Sequence, residues 1–460
     1  MASDDWWGAH LLGRGKADAP WATMGTPVSR GRLRTGVAES AALLNRHGIT
    51  AGSTVAVVLP PGITLLKTIL AVWSRGAQLH LLDARGTDSE IAGLLARCEP
   101  EHLVTAAGPA RGQAGPVRDY PLDVVRRPTG RPAEDVDVRL VQFSSGSTGV
   151  PKVIGRTARS ILGELDRYSA LAGMPERGER VLLLNSLIHT MGLVGGFLHG
   201  LERGTHLLLP TRPGMAAVAA LLGDTAGSGA HAVLGVPLHF DLLSRDRGTA
   251  GSTTHLRLAV SAGEPLPLPV QERFTGRYGV TVSPVYGTTE TGLVAAQLHG
   301  HCPPPEVGRT TGLPVRVRDG QIEVALDRTP YLRDDGPERY VDGWLRTFDR
   351  GELDPATGAL KVLGRSDSVV TVGGMKIDLM EVEAVLRTCP GVDEAVVVFG
   401  DTIEAHTGGT ARPHDLALWA RERLAAFKTP KHYFTATALP RNANGKILRD
   451  RALLHERGQL

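Results

Sequence analysis

Residues 141–152 read Val-Gln-Phe-Ser-Ser-Gly-Ser-Thr-Gly-Val-Pro-Lys. Four hydroxyl residues, Ser144, Ser145, Ser147 and Thr148, surround Gly146 and Gly149 before Pro151 and Lys152 close the stretch. Small residues let the backbone turn sharply and bring its N–H groups against a ligand, and the hydroxyls add further donors. The ammonium that follows supplies positive charge. This combination suits a chain of phosphate oxygens. The G-x-x-x-x-G-K-[ST] spacing of the ordinary nucleotide-hydrolase loop is absent from it. Taken alone, the stretch also fits a flexible Ser/Gly loop beside a lysine, so the rest of the chain has to decide.

Downstream, Tyr286-Gly287-Thr288-Thr289-Glu290-Thr291-Gly292 follows an apolar run, Val280 to Val285, that reads as a buried strand. Such a strand end presents an aromatic face, hydroxyls and a carboxylate to one crevice. An aromatic ring stacks on a base, and a carboxylate near phosphates holds a bridging Mg²⁺. The competing reading of this stretch is a core tyrosine and a solvated turn carboxylate. Three more pieces follow in order. Trp344-Leu345-Arg346-Thr347-Phe348-Asp349 offers a carboxylate able to accept from vicinal hydroxyls, as ribose presents. Gly364-Arg365-Ser366-Asp367 precedes Val369-Val370-Thr371-Val372-Gly373-Gly374-Met375-Lys376. Leu439-Pro440-Arg441-Asn442-Ala443-Asn444-Gly445-Lys446 then places a lysine on a turn near the C-terminus. Only eight of the 51 Lys and Arg residues are lysines, and three of them (Lys152, Lys376, Lys446) close Gly-containing motifs. In an arginine-rich chain, a retained lysine points to a need for a compact point charge on a flexible stem.

Together these motifs resemble the adenylate-forming superfamily, closest in pattern to its acyl- and aryl-CoA synthetases. The ordered motifs run from about residue 141 to 448, and residues 33–105 look like the family's opening α/β region. The resemblance implies that Ser144, Ser145, Gly146, Ser147, Thr148, Gly149 and Lys152 form a mobile loop over the β- and γ-phosphates of ATP. Ala262, Gly263 and Glu264 then line the adenine and acyl pockets. Tyr286 packs against adenine, with Gly287 and Thr288 beside it. Thr289 donates to the α-phosphate and Glu290 holds Mg²⁺. Asp349 binds ribose, Arg365 adds a ribose and phosphate contact, Asp367 is the hinge, and Lys446 is the catalytic lysine of adenylation. His189 and Gly192, in Leu187-Ile188-His189-Thr190-Met191-Gly192, match a pocket typical of acyl- and aryl-CoA ligases. A hydrogen-bonded core histidine is the alternative for His189.

The chain departs from the family pattern in three places. The common Thr-Gly-Asp is Thr347-Phe348-Asp349, which loses the flexible glycine. The phosphate loop runs on into Val153-Ile154-Gly155-Arg156-Thr157, without the Thr-His that often ends it. The C-terminal module reads as short, with Ala395–Gly400 passing through Asp401–Thr410 almost directly to a helix over 414–426, as if a hairpin were missing. That last departure leaves the acceptor more open than the first half-reaction.

Strand-like runs (Val55–Leu59, Gln78–Leu82, Val181–Leu184, His206–Leu209, Val233–Val236, Leu256–Ser261, Val280–Val285) alternate with helix-like ones. The fold class expected is therefore α/β: a large N-terminal domain of helix-covered, mostly parallel sheets plus a small β-rich subdomain from about residue 314, and a small mobile C-terminal α+β domain. The boundary expected is 1–365 for the adenylation domain and 366–460 for the domain carrying the lysine. Gly108–Arg131, rich in Gly, Pro and Arg, reads as a surface connection. Glu381 and Glu383 read as the solvated face of a helix.

At 460 residues, two or more domains are expected. A net charge of +3 and the lack of a basic run with interleaved aromatics argue against nucleic acid as a partner. The three cysteines are odd in number and widely spaced, which argues against a disulfide framework or zinc site and favours a cytoplasmic location. No membrane span or signal peptide is read in the sequence.

The resemblance implies activation of a small to medium carboxylic acid, aromatic acids included, as an acyl-adenylate with release of pyrophosphate. The acyl group then passes to a thiol, that of CoA or of carrier-protein phosphopantetheine, in bacterial secondary metabolism. The co-substrates are ATP and Mg²⁺; a carrier protein is a candidate partner, and the chain is expected as monomer or homodimer. An amine acceptor, or nitrite activated in a diazotase-type reaction, stays open. A plain ATPase would release ADP, and a non-catalytic protein would not need Lys446, Glu290 and Asp349 together.

Overall fold

The computed structural model describes residues 6–110, 113, 115–144, 151–211, 214–223, 228–245, 255–298, 302–333, 337–365, 368–372, 375–424, 428–442 and 446–457. The chain divides into two compact units. The first comprises Met1–Val317, Glu323–Thr347 and Glu352–Val362; the second comprises Arg318–Ile322, Phe348–Gly351 and Leu363–Leu460. No helix among the described residues is long and apolar enough to cross a membrane.

The first unit is built on two large sheets. In one, Thr54–Leu59, Gln78–Asp83, His102–Ala106 and Val138–Ser144 run parallel, and Lys152–Thr157 pairs antiparallel with Val138–Ser144 at one edge. These strands are nearly continuous apolar runs because helices cover both faces of a parallel sheet. The helix Ile63–Ser74 is buried at all but one of its positions and sinks Trp73 completely. The helix Asp88–Cys98 opens with a capping box, in which Thr87 and Glu90 each satisfy the other's backbone N–H. One expectation fails here. The Gly108–Arg131 connection contains a strand, Leu122–Arg126, paired antiparallel with His102–Ala106. Its burial is shallow, which is why edge pairing left little hydrophobic signal in the sequence.

The second sheet holds Pro20–Met24, His206–Leu208, Arg180–Leu183, Ala232–Gly235, Leu258–Ser261 and Val282–Thr288 as parallel neighbours in that order. It turns antiparallel through Gly292–Ala296 and Glu306–Thr310. It then continues with Ala359–Arg365, Trp344–Leu353, Gln321–Ala325 and Val315–Arg318, the β-rich region expected from the sequence. The two sheets therefore bear out the α/β fold class.

In the second unit, Val392–Phe399, Ile403–Gly409 and His432–Ala436 form a three-stranded sheet beside the helices Leu379–Arg387, Pro413–Arg423 and Arg451–Arg457. A separate two-stranded hairpin joins Val369–Val372 and Met375–Asp378. The stretch 401–410, read as a short passage, holds the strand Ile403–Gly409, which pairs antiparallel with Val392–Phe399 across a register shift between Val392 and Glu394. Its sequence concealed it, because Glu404 and His406 are buried polar residues within the strand. The reading of Glu383 is also corrected. It is 0% exposed, accepts from Val397 N at 2.9 Å and pairs with Arg387 and Arg449. Glu381, by contrast, is exposed and pairs with Lys428.

Candidate active site

Ligands of open parallel sheets gather outside the carboxyl ends of the strands, and most of the residues singled out in the first unit lie there. Ala262, Gly263 and Glu264 leave the end of Leu258–Ser261. Tyr286, Gly287 and Thr288 close Val282–Thr288, and Thr289 and Glu290 turn out of it. His189 and Gly192 follow Arg180–Leu183. These ends are tied together at one carbonyl, because Ala262 N and Asn185 Nδ2 both donate to Gly235 O at 3.1 Å.

His189 is half-buried; its N–H donates to Ser186 O at 3.2 Å, and its carbonyl accepts from Leu193 N at 2.8 Å. It thereby opens the wound-out helix Met191–Leu198. At Gly192 a Cβ would lie 2.1 Å from Ser186 O, so only glycine lets this helix approach the strand-end loop. Gln142, from the opening stretch, is buried and donates to Ile188 O at 2.6 Å. That bond fastens the phosphate-motif strand to the loop bearing His189.

The Tyr-Gly-Thr-Thr-Glu turn is held by its own hydroxyls. Thr288 Oγ1 and Thr291 Oγ1 lie 3.1 Å apart, and each accepts from the other residue's N–H at 3.3 Å. Tyr286 is buried within the strand, while Thr289 and Glu290 are half-buried. Glu290 Oε1 accepts from the phenol of Tyr331 at 3.0 Å. Among the described residues, its Oε2 has no hydrogen-bond partner and no Lys or Arg pairs with it. A half-buried carboxylate with spare acceptor capacity fits a hard, oxygen-seeking cation.

Sequence reasoning missed Tyr331. Residues 330–332 run beside the strand that leaves the phosphate motif, with Gly155 N donating to Pro330 O at 2.8 Å and Leu332 N to Val153 O at 3.0 Å. This places the Tyr331 ring 5.9 Å from Nζ of Lys152, itself buried in strand Lys152–Thr157. Burial first, and the Glu290 charge second, push the phenol well above its ordinary range, so it stays a donor. No motif in the sequence flagged a tyrosine at this position. Its position beside Glu290 follows from the pairing of two segments more than 170 residues apart, roughly the separation of Val153 and Leu332.

The second unit brings another pair together: Arg365 Nη1 lies 3.5 Å from Asp349 Oδ1. Just before Asp349, Phe348 has a φ of +62°, a left-handed backbone conformation that favours glycine, although the side chain is phenylalanine. Lys446 is exposed on a turn of this unit; its N–H donates to Asn442 Oδ1 at 3.0 Å and its carbonyl accepts from Asn442 N at 2.8 Å. Glu394 anchors that turn by accepting from Leu439 N at 3.0 Å and pairing with Arg441. Ser144 ends its strand paired with Lys152. Ser145, Gly146, Ser147, Thr148, Gly149 and Asp367 lie outside the described residues.

The family signature of AMP-binding enzymes matches residues 14–329, and that of the AMP-binding enzyme C-terminal domain matches 381–446. The chain belongs to the AMP-binding enzyme family. Its relatives include a probable CoA ligase (CCL9) of Humulus lupulus, 26% identical over 92% of this chain and 90% of the relative. A sulfoacetate–CoA ligase of Cupriavidus necator is 27% identical over 89% of this chain and 88% of its own length. Among solved structures, ATP-bound MatB from Rhodopseudomonas palustris superposes with a TM-score of 0.82 at 20% identity, covering 98% of this chain and 99% of that one, a likeness of fold. The enzyme class expected from the sequence, an ATP-dependent AMP-forming acid–thiol ligase, is thus the class of this AMP-binding enzyme.

Glu404, His406 and His455 also gather, in the second unit of this AMP-binding enzyme, with ligand atoms within 4.8 Å of one another. Both Glu404 oxygens are already engaged, by Arg451 at 2.6 and 2.9 Å and by His455 at 2.9 Å. The cluster is an ion network that fastens the last helix to the sheet.

Proposed function

We propose that this AMP-binding enzyme joins a small to medium carboxylic acid, aromatic acids included, to the α-phosphate of ATP and then passes the acyl group to the thiol of CoA. The observation that carries the reading is the gathering of Lys152, Tyr331 and Glu290 beside strand ends that also bear Tyr286 and Ala262–Glu264. In this reading a carboxylate oxygen of the acid attacks the α-phosphorus, the bond to the bridging oxygen of pyrophosphate breaks, and AMP becomes the later leaving group. The attack brings anions together, so its barrier falls when fixed positive charge and donors face them. Lys152 and the hydroxyls of residues 144–148 hold the departing pyrophosphate, Thr289 donates to the α-phosphate, and Lys446 neutralises charge between acid and phosphate. Glu290 would hold Mg²⁺, which when bound screens the phosphate charges. Asp349, kept in place by Arg365, accepts from the ribose hydroxyls. His189, Gly192 and Ala262 bound the acid's pocket.

The relatives named CoA ligases support a thiol acceptor, and bacterial secondary metabolism is the setting we favour. The test is pyrophosphate release from ATP across a panel of small aliphatic and aromatic acids, repeated with CoA, a carrier protein, amines and nitrite. Acid-dependent AMP and pyrophosphate with a CoA thioester is the expected result. Release of ADP, or an adenylate that reacts only with amine or carrier protein, would overturn the reading of the reaction or of the acceptor respectively.

A further inference from the structure

The strand that leaves the phosphate motif, Lys152–Thr157, carries Arg156 next to its last residue, in the stretch where the sequence departs from the family pattern. That side chain is 1% exposed and meets Glu164, 0% exposed, at 3.0 Å. Arg156 is steered there by Ser160, whose Oγ accepts from Nε at 2.7 Å and whose carbonyl accepts from Nη2 at 3.1 Å. Glu164 lies one turn further along the helix Ala158–Ala170, and Arg167 three residues beyond it on the same face. Glu164 and Arg167 both reach one target, the backbone of residues 291–293, whereas Arg156 reaches it only through Glu164 and keeps Nη1 buried without a hydrogen-bond partner among the described residues. Glu164 Oε1 accepts from Leu293 N at 3.2 Å. Arg167 donates from Nε to Leu293 O and from Nη2 to Thr291 O, each at 3.0 Å. Between them Gly292 has a φ of +65°, and a Cβ there would stand 2.2 Å from the Glu164 carboxyl. The backbone is therefore pressed directly onto the buried ion cluster.

Charges in a core are a poor source of stability, because apolar residues of similar volume often do as well or better. A buried cluster is better explained by what it fixes. Here it fixes Thr291 to Leu293, the residues that follow Glu290. We propose that Arg156, Glu164 and Arg167 are positioning residues for adenylation: they clamp the backbone that aims the Glu290 carboxylate, and they tie it to the strand bearing Lys152. The proposal rests on the reading of Glu290 as the Mg²⁺ carboxylate.

The test is ATP binding to the full-length protein by titration calorimetry at a series of Mg²⁺ concentrations, which needs no knowledge of the acid. The variants are Arg167→Met, Arg167→Lys, Glu290→Gln and the double variant Arg167→Met/Glu290→Gln. Loss of a group that orients a metal ligand typically weakens metal affinity about 10–100-fold. Arg167→Met is expected to raise the half-saturating Mg²⁺ concentration about tenfold, by the same principle. Arg167→Lys, which keeps the charge and one donor, should recover part of this and covers the case in which the methionine variant does not fold. The double variant should show no larger Mg²⁺ shift than Glu290→Gln alone, since residues acting as a unit are not additive. A wild-type Mg²⁺ response in the folded Arg167 variants, with Glu290→Gln impaired, overturns the clamp and leaves the Glu290 reading standing. A wild-type response in Glu290→Gln itself brings down that reading and the clamp with it. Additive shifts in the double variant also overturn the proposal.

Discussion

Tyr331 donates its phenolic hydrogen to Oε1 of Glu290 at 3.0 Å, while Oε2 keeps its acceptor capacity. The hydrogen bond fixes the carboxylate plane without neutralising its charge, as the proposed cation-binding role requires. Tyr331→Phe keeps the ring beside Lys152 and removes the hydroxyl, with its bond to Glu290 and the one it shares with Arg339. Its apparent Mg²⁺ affinity in ATP binding is expected to fall about tenfold, the usual loss for an outer partner of a ligand. Thermal unfolding should change little. An unaltered Mg²⁺ titration would mean that the phenol merely fills space.

Lys446 stands exposed, and among the described residues its ammonium has no hydrogen-bond or ion-pair partner, so removing its charge leaves no hole. Lys446→Ala should therefore keep the fold. Losing one charge-assisted transition-state contact typically costs about 2.7–4 kcal/mol, or roughly 10²–10³ in rate. That loss should fall on adenylate formation, measured by pyrophosphate exchange. Thioester formation from supplied acyl-adenylate should remain near wild type. Equal exchange rates in the two proteins would remove Lys446 from the first step.

How far the sequence could be read depended on whether the deciding partner was local. The parallel strands around Val55–Leu59 and Val233–Val236 were legible because burial on both faces leaves a continuous apolar run. The strand Ile403–Gly409 was not, since Glu404 and His406 interrupt its apolar signal and are satisfied or buried only through Arg451, His455 and Phe434. Glu383 looked solvated for the same reason, its partner Arg449 lying 66 residues away. The candidate site followed the same rule. Contiguous motifs pointed to Tyr286, Glu290 and Asp349 as candidates, whereas Tyr331, Glu164 and Arg167 meet the Glu290 turn only through segments that the fold brings together.

Phe348 occupies a left-handed backbone position, φ +62°, where the related pattern has glycine. For a residue with a Cβ that conformation costs roughly 1–2 kcal/mol. Phe348→Ala loses the ring and keeps the strain, whereas Phe348→Gly loses the ring and relieves it. The glycine variant is therefore expected to be the more stable of the two by about 1 kcal/mol, part of the relief being offset by the freer unfolded chain. Denaturant unfolding of both variants decides it. An alanine variant at least as stable as the glycine one would show that the backbone here carries no strain.

The last expectation concerns acid. Burial lowers His80 and His199 to about 3, with Arg333 and Arg203 adding to the effect, and lowers His239 to about 4. His406 also falls to about 4, through burial and then the nearby His455 charge, while Glu404 pulls the other way. Each of these histidines is neutral in the fold but takes up a proton near its ordinary value once unfolded. The unfolded chain thus binds more protons between the two values, so stability is fully present above about pH 6.5 and drains as pH falls toward 4. By pH 5 one such histidine costs about 2 kcal/mol, taken as 1.36 kcal/mol for each unit between its unfolded value and the solution pH. Glu404 behaves differently. The hydrogen bond from Arg451 leads in holding its carboxyl down to about 2, so its contribution is lost only below about pH 4.5. Denaturant midpoints taken from pH 7.5 to 5 should therefore decline well before the carboxylates titrate. His406→Phe, which keeps a ring against Phe434 and removes the titrating group, should flatten that decline for the unfolding of the second unit. An equally steep decline in the variant would place the acid sensitivity elsewhere.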